Sequence, residues 1–134
     1  MARYAKGANA ERELIRILYE YGFAPIRAAG SGKSSLPSPD LIAIKDGRII
    51  AFECKAWGGP YVNISHGQMD ELSKWCSMAG AELIVAWKIP HKGWFLVEKN
   101  DMHKSGKAYI ISEEVAMKRG FAPEVLAHKK LLCV

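Results

Sequence analysis

Asp46-Gly47 sits between two short β-rich runs, residues 41–44 and 48–54. An Asp-Gly loop of two residues joins antiparallel strands through a type I′ turn, because both central residues need positive φ. That commits this part of the chain to a hairpin of fixed register. Lys45 then faces Arg48, Ile44 faces Ile49, Ala43 faces Ile50, Ile42 faces Ala51 and Leu41 faces Phe52. One step further, Asp40 falls opposite Glu53. Side chains alternate along a strand, so Lys55 shares the face of Glu53, and Ile50, Phe52 and Cys54 take the other.

Two carboxylates placed directly opposite one another destabilise a sheet. A divalent cation removes that cost. Mg²⁺ is held by one or two carboxylates together with waters and a substrate phosphate, and it can clamp the attacking and leaving oxygens of a phosphodiester displacement. Lys55 then stands where it can orient the attacking water or stabilise charge developing on the phosphate. The competing reading is a surface hairpin whose Asp40, Glu53 and Lys55 form an ion-pair cluster worth little.

The rest of the chain reads as alternating helices and strands. Ala10, Leu14, Ile17, Leu18 and Tyr21 recur at helical spacing over residues 9–21, with Gly22 as the stop. Glu11 and Glu13 sit at opposite borders of this apolar stripe, and periodicity does not choose between them. Residues 1–6 read as a short basic arm. Residues 23–29 form a strand with Pro25 near its start, consistent with a sheet edge. A Gly/Ser/Pro-rich loop over residues 30–39 carries Lys33 and leads into Asp40.

After the hairpin, Trp57 and Tyr61 flank a Gly58-Gly59 turn. They could stack on splayed bases, but the preferred reading places them in the core. Ser65 and Gln68 form a capping box that opens a helix with Met69, Leu72, Cys76 and Ala79 on one face and Gly80 at its end. Trp75 lies near the edge of that face, and Gln68 could reach toward the active site from the first turn, although its cap role already accounts for it. Residues 82–89 are apolar throughout, as in a strand buried on both faces, and residues 94–98 return as its hairpin partner. A polar connection, a strand at 109–111, a helix capped by Ser112 and a last helix from Pro123 complete the chain.

The net charge of +5 and pI near 9.2 lean toward a polyanionic partner. No apolar run approaches a membrane span and no signal-peptide core follows the first residues, so a cytoplasmic protein without membrane partners is expected. Cys54, Cys76 and Cys133 fit neither a zinc pattern nor a disulfide framework.

Pro39-Asp40 and Glu53-Cys54-Lys55 together resemble the PD-(D/E)xK nuclease motif. The run Lys6-Gly7-Ala8-Asn9-Ala10-Glu11-Arg12-Glu13-Leu14, followed by Gly22-Phe23, Arg27 and Gly30-Ser31, is similar to the archaeal Holliday-junction resolvase family, over residues 6–97. The resemblance implies one α/β nuclease domain over residues 1–134, restriction-endonuclease-like, with a mixed central sheet flanked by helices. It implies Asp40, Glu53 and Glu11 as metal ligands and catalytic acids, with Lys55 and Ser31 beside them. Arg12 and Arg27 match positions implicated in junction binding, and Lys33 is a further candidate for DNA contact. The implied cofactor is Mg²⁺, with Mn²⁺ as a substitute. The implied assembly is a homodimer, with Trp75 at the dimer contact, whose two active sites nick strands of like polarity in a four-way DNA junction, and other recombination proteins are candidate partners. Two alternatives remain open: a restriction- or repair-type duplex nuclease, and a basic DNA-binding module without catalysis.

Overall fold

The computed structural model describes residues 2–28, 36–129 and 131, with side chains from residue 7 onward. Ser31, Lys33 and Cys133 lie outside the described residues. The first helix, α1 (Ala2–Glu20), begins well before the expected start at residue 9, so the basic arm is its opening turn. Strands β1 (Ala24–Arg27), β2 (Leu41–Lys45) and β3 (Arg48–Ala56) follow, then β4 (Tyr61–Ser65), α2 (His66–Ala79), β5 (Glu82–Ile89) and β6 (Gly93–Val97). The short strand β7 (His103–Lys104), β8 (Ala108–Ser112), α3 (Glu113–Arg119) and a 3-10 segment (Pro123–His128) complete the described chain.

A five-stranded mixed sheet has the order β1-β2-β3-β5-β6. The β2–β3 pairs are those the turn dictates, from Lys45–Arg48 to Leu41–Phe52. Asp46 and Gly47 both take positive φ, 50° and 82°. β1 is an edge strand, as Pro25 requires, and it pairs antiparallel with β2. β3 and β5 run parallel in register, Glu53 beside Val85 and Lys55 beside Trp87. Parallel neighbours need a long crossover, and here it is β4 followed by α2.

β3 and β5 are apolar on both faces because both faces are covered. Ala10, Leu14 and Leu18 of α1 pack with Ile50, Phe52, Ile84 and Ala86 on one side. On the other, Met69, Leu72 and Cys76 of α2 pack with Ala51, Val85 and Trp87. A second sheet, β4-β8-β7, lies on the α2 side and contributes Val62, Ile64, Tyr109 and Ile111 to the same cluster. Its strand β8 is the one expected near residues 109–111, whereas β4 after the Gly58-Gly59 turn and β7 in the polar connection are not anticipated by the sequence.

Trp57 and Tyr61 are not core residues. They are 41% and 55% exposed. Trp57 lies just beyond the end of β3, and Tyr61 takes an outward position on β4 while Val62 and Ile64 take the inward ones. The last expected helix is shorter than the sequence suggests, a 3-10 segment, and the carbonyls of Leu126 within it and Lys129 just after it accept from Arg48. Among the described residues, no helix is long and apolar enough to cross a membrane.

Candidate active site

The hairpin ladder ends at Leu41–Phe52, one pair before the two acids. Asp40 turns out of register. Its N–H donates to the Phe52 carbonyl at 2.9 Å, and its own carbonyl accepts from Ala28. Its side chain then replaces the missing strand: the Cys54 N–H donates to Asp40 Oδ2 at 2.7 Å. Asp40 is thus not the ladder partner of Glu53. The two carboxyl groups nevertheless come within each other's field.

Glu53 is only 6% exposed. Burial, and after it the charge of Asp40, pushes its carboxyl up to about 7. Asp40 is also raised, chiefly by burial, against the lowering effect of the Cys54 hydrogen bond and the Lys55 charge. Two acids held in this way, one inside β3 and one just before β2, resist ionisation together, which is the situation a divalent cation resolves. Lys55 Nζ lies 3.3 Å from Glu53 Oε2. The Cys54 thiol is pushed up by burial and by the nearby acids, so it stays protonated and is no nucleophile.

Gln68 belongs to the site, which its position in the first turn allowed but its cap role did not require. Its backbone N–H completes the Ser65 cap at 3.1 Å, as expected. Its side chain does not turn back to the cap and instead donates to Glu53 Oε2 at 2.8 Å. The available signal was its place in the first turn of a helix that follows the Glu-x-Lys strand.

The two glutamates of α1 have different partners. Glu13 accepts from Lys88 Nζ and Trp94 Nε1, both at 2.8 Å. Glu11 is raised first by burial and is also influenced by Asp40, while Arg27 Nε donates to it at 2.7 Å. Glu11 therefore borders the acid pair, and Arg27 is engaged with it. Among the described residues, no three His, Cys, Asp or Glu side chains converge as a metal-holding group. The fit to a hard cation rests on Asp40 and Glu53, and Mg²⁺ ordinarily needs no more protein ligands than that. Arg12 is exposed beside Arg16, Tyr19 and Pro25 on a shallow face formed by α1 and β1. Trp75 on α2 is partly buried against the core.

Residues 2–129 match the family model for archaeal Holliday junction resolvase (Hjc). The chain belongs to the Hjc family. The crossover junction endodeoxyribonuclease Hjc of Archaeoglobus fulgidus is 34% identical over 111 residues, covering 83% of this chain and 82% of that protein. Hjc of Methanocaldococcus jannaschii is 33% identical over 113 residues, covering 84% of this chain and 80% of that protein. The structure of the Archaeoglobus fulgidus Hjc, a Holliday junction resolvase, superposes with a TM-score of 0.83 at 30% identity, covering 90% of this chain and 99% of that one. The mixed five-stranded sheet flanked by helices is thus the Hjc fold, as the resemblance implied.

Proposed function

We propose that the protein is a Mg²⁺-dependent endodeoxyribonuclease that resolves four-way DNA junctions as a homodimer, one nick from each subunit. The observation that carries the reading is the Asp40–Glu53 pair with Lys55 3.3 Å from Glu53. Family membership, and the names of relatives as crossover junction endodeoxyribonucleases, supply the substrate class.

In this reading Asp40 and Glu53 hold the cation. When bound, Mg²⁺ supplies positive charge at the scissile phosphate and acidifies a bound water. Gln68 fixes the orientation of Glu53 through Oε2, and the Cys54 N–H does the same for Asp40. Lys55 places its ammonium beside Glu53, where it donates to the attacking water or to a phosphate oxygen as charge develops. Glu11 and Arg27 form an ion pair at the border of the acids, with Arg27 able to turn toward the DNA backbone. Arg12 and Arg16 extend the positive face along α1, and phosphate contacts there set register without reading sequence. Ser31 is assigned to the same site on the resemblance alone, Lys33 is a candidate DNA contact from its place in the loop that leads into Asp40, and Mn²⁺ is expected to substitute for Mg²⁺.

The test is cleavage of a labelled four-way junction beside its matching linear duplex, with Mg²⁺ or EDTA, for wild type and Asp40→Ala. Paired nicks in the junction that require both Mg²⁺ and Asp40 are the expected result. Equal cutting of the duplex would make the protein a general nuclease. Binding without cleavage in Mg²⁺ and Mn²⁺ would leave only a DNA-binding module.

A further inference from the structure

The turn between β3 and β4 carries an aromatic surface that the chemistry above does not use. Trp57 is the second residue after Lys55, and the Lys55 ammonium lies 5.5 Å from the centroid of its ring. The same ammonium is 3.3 Å from Glu53 Oε2. The ring centroid is therefore at most the sum of these distances, 8.8 Å, from a carboxylate oxygen of the proposed metal site.

The backbone beneath the ring is pinned. Trp87 Nε1, from the fully buried core of β5, donates to the Trp57 carbonyl at 3.2 Å. The Trp57 indole N–H is directed inward at the Tyr61 carbonyl, 3.4 Å away. With the backbone and the polar edge both tied down, the apolar body stays 41% exposed, and the Tyr61 side chain beside it is 55% exposed. A large aromatic held out of the core in this way is unusual, because folding gains more from burying it.

Base stacking requires a π-face, a fixed ring and nearby positive charge to receive the phosphate, and it is tolerant of sequence because every base has a π-face. All three are present here. We propose that Trp57 is a stacking platform for a nucleobase that leaves the helical stack next to the scissile phosphate, with Tyr61 extending the platform. This deepens the proposed function and rests on it: a four-way junction interrupts continuous stacking at its branch point, whereas a linear duplex keeps its bases paired and stacked. Trp57 would then favour branched over linear DNA without reading sequence. Lys55 links the two halves of the site, with its charge shared between the acid pair and the ring.

The test uses 2-aminopurine, whose emission falls when it stacks, placed at the branch point of a junction and as a single unpaired nucleotide in a duplex. Binding is measured in EDTA for wild type, Trp57→Phe and Trp57→Leu. Wild type and Trp57→Phe are expected to quench both probes, and Trp57→Leu to bind the junction about 5- to 150-fold more weakly with the quench lost, as the removal of one stacked base predicts. Linear duplex affinity should change little. Equal quenching and affinity in Trp57→Leu would overturn the proposal. So would a variant that binds and quenches normally but cleaves slowly, since Trp57 would then only position Lys55. If wild type bound junction no better than duplex, the resolvase reading would fail, while the unpaired-nucleotide probe would still decide whether Trp57 stacks.

Discussion

Gln68 reaches Glu53 from the first turn of α2, so one side chain joins the crossover helix to the acid pair. Partners of this kind typically change metal affinity or activity by about 10- to 100-fold. Gln68→Ala is expected to raise the Mg²⁺ concentration needed for half-maximal cleavage by about that factor, with the folded content by circular dichroism unchanged. An unchanged Mg²⁺ requirement would mean that the bond serves only the helix start. Glu53 itself carries a pH signature. Its carboxyl sits near 7 in the fold, above the ordinary value of 4.5, so folding favours the protonated form. The stabilisation is complete below the unfolded value and is lost as pH rises through about 7, and Asp40, also raised, acts in the same direction. In EDTA, thermal stability should fall from about pH 5 to about pH 8, and Glu53→Gln should flatten that slope. Mg²⁺ should stabilise the wild type more at the upper end, where the acids are charged. An undiminished slope in Glu53→Gln would place its cause elsewhere.

The elements differ in how far the sequence disclosed them. The β2–β3 hairpin was legible to the residue because Asp-Gly admits one register, and β5 was legible because Leu83, Val85 and Trp87 meet α2 while Ile84 and Ala86 meet α1. β4 was not. Its alternation of exposed and buried residues is present in Tyr61, Val62, Asn63, Ile64 and Ser65, but the flanking glycines and the helix cap at Ser65 argued locally for a turn. The departure of Asp40 from the ladder was also hidden, since a register extrapolates only while both strands continue. Arg48 shows the same limit for long-range contacts. It pairs with Glu82 through Nε at 2.6 Å and Nη2 at 3.2 Å, and it also donates to the carbonyls of Leu126 and Lys129, more than 70 residues away in sequence. Lysine has no planar fork to reproduce this set. Arg48→Lys is expected to lower stability by about 2 kcal/mol in urea denaturation, with loosening of the C-terminal segment visible as faster proteolysis there. A variant as stable as wild type would show that the network is replaceable.

At the scale of the whole molecule, the proposed paired nicking needs two active sites facing one junction. Trp75 was singled out as the contact, and it is partly buried in its own core. Met78, three residues on and so on the same side of α2, is 80% exposed. Met78→Glu is expected to leave the unfolding midpoint within about 0.5 kcal/mol of wild type. In sedimentation it should shift dimer to monomer, with single nicks replacing paired ones. An unchanged dimer would move the interface off α2.

Residues 57–60 are all exposed, and the fold holds them through backbone ties more than through packing. The strands on either side, by contrast, are locked into the two core layers. Side-chain changes in this short connector that keep the Trp57 carbonyl in place would therefore leave the sheet untouched. If these residues are the grip proposed above, joined to the cutting edge only through Lys55, a lineage could trade one kind of branched DNA for another by drift in a few surface residues, and an engineer could do the same by grafting.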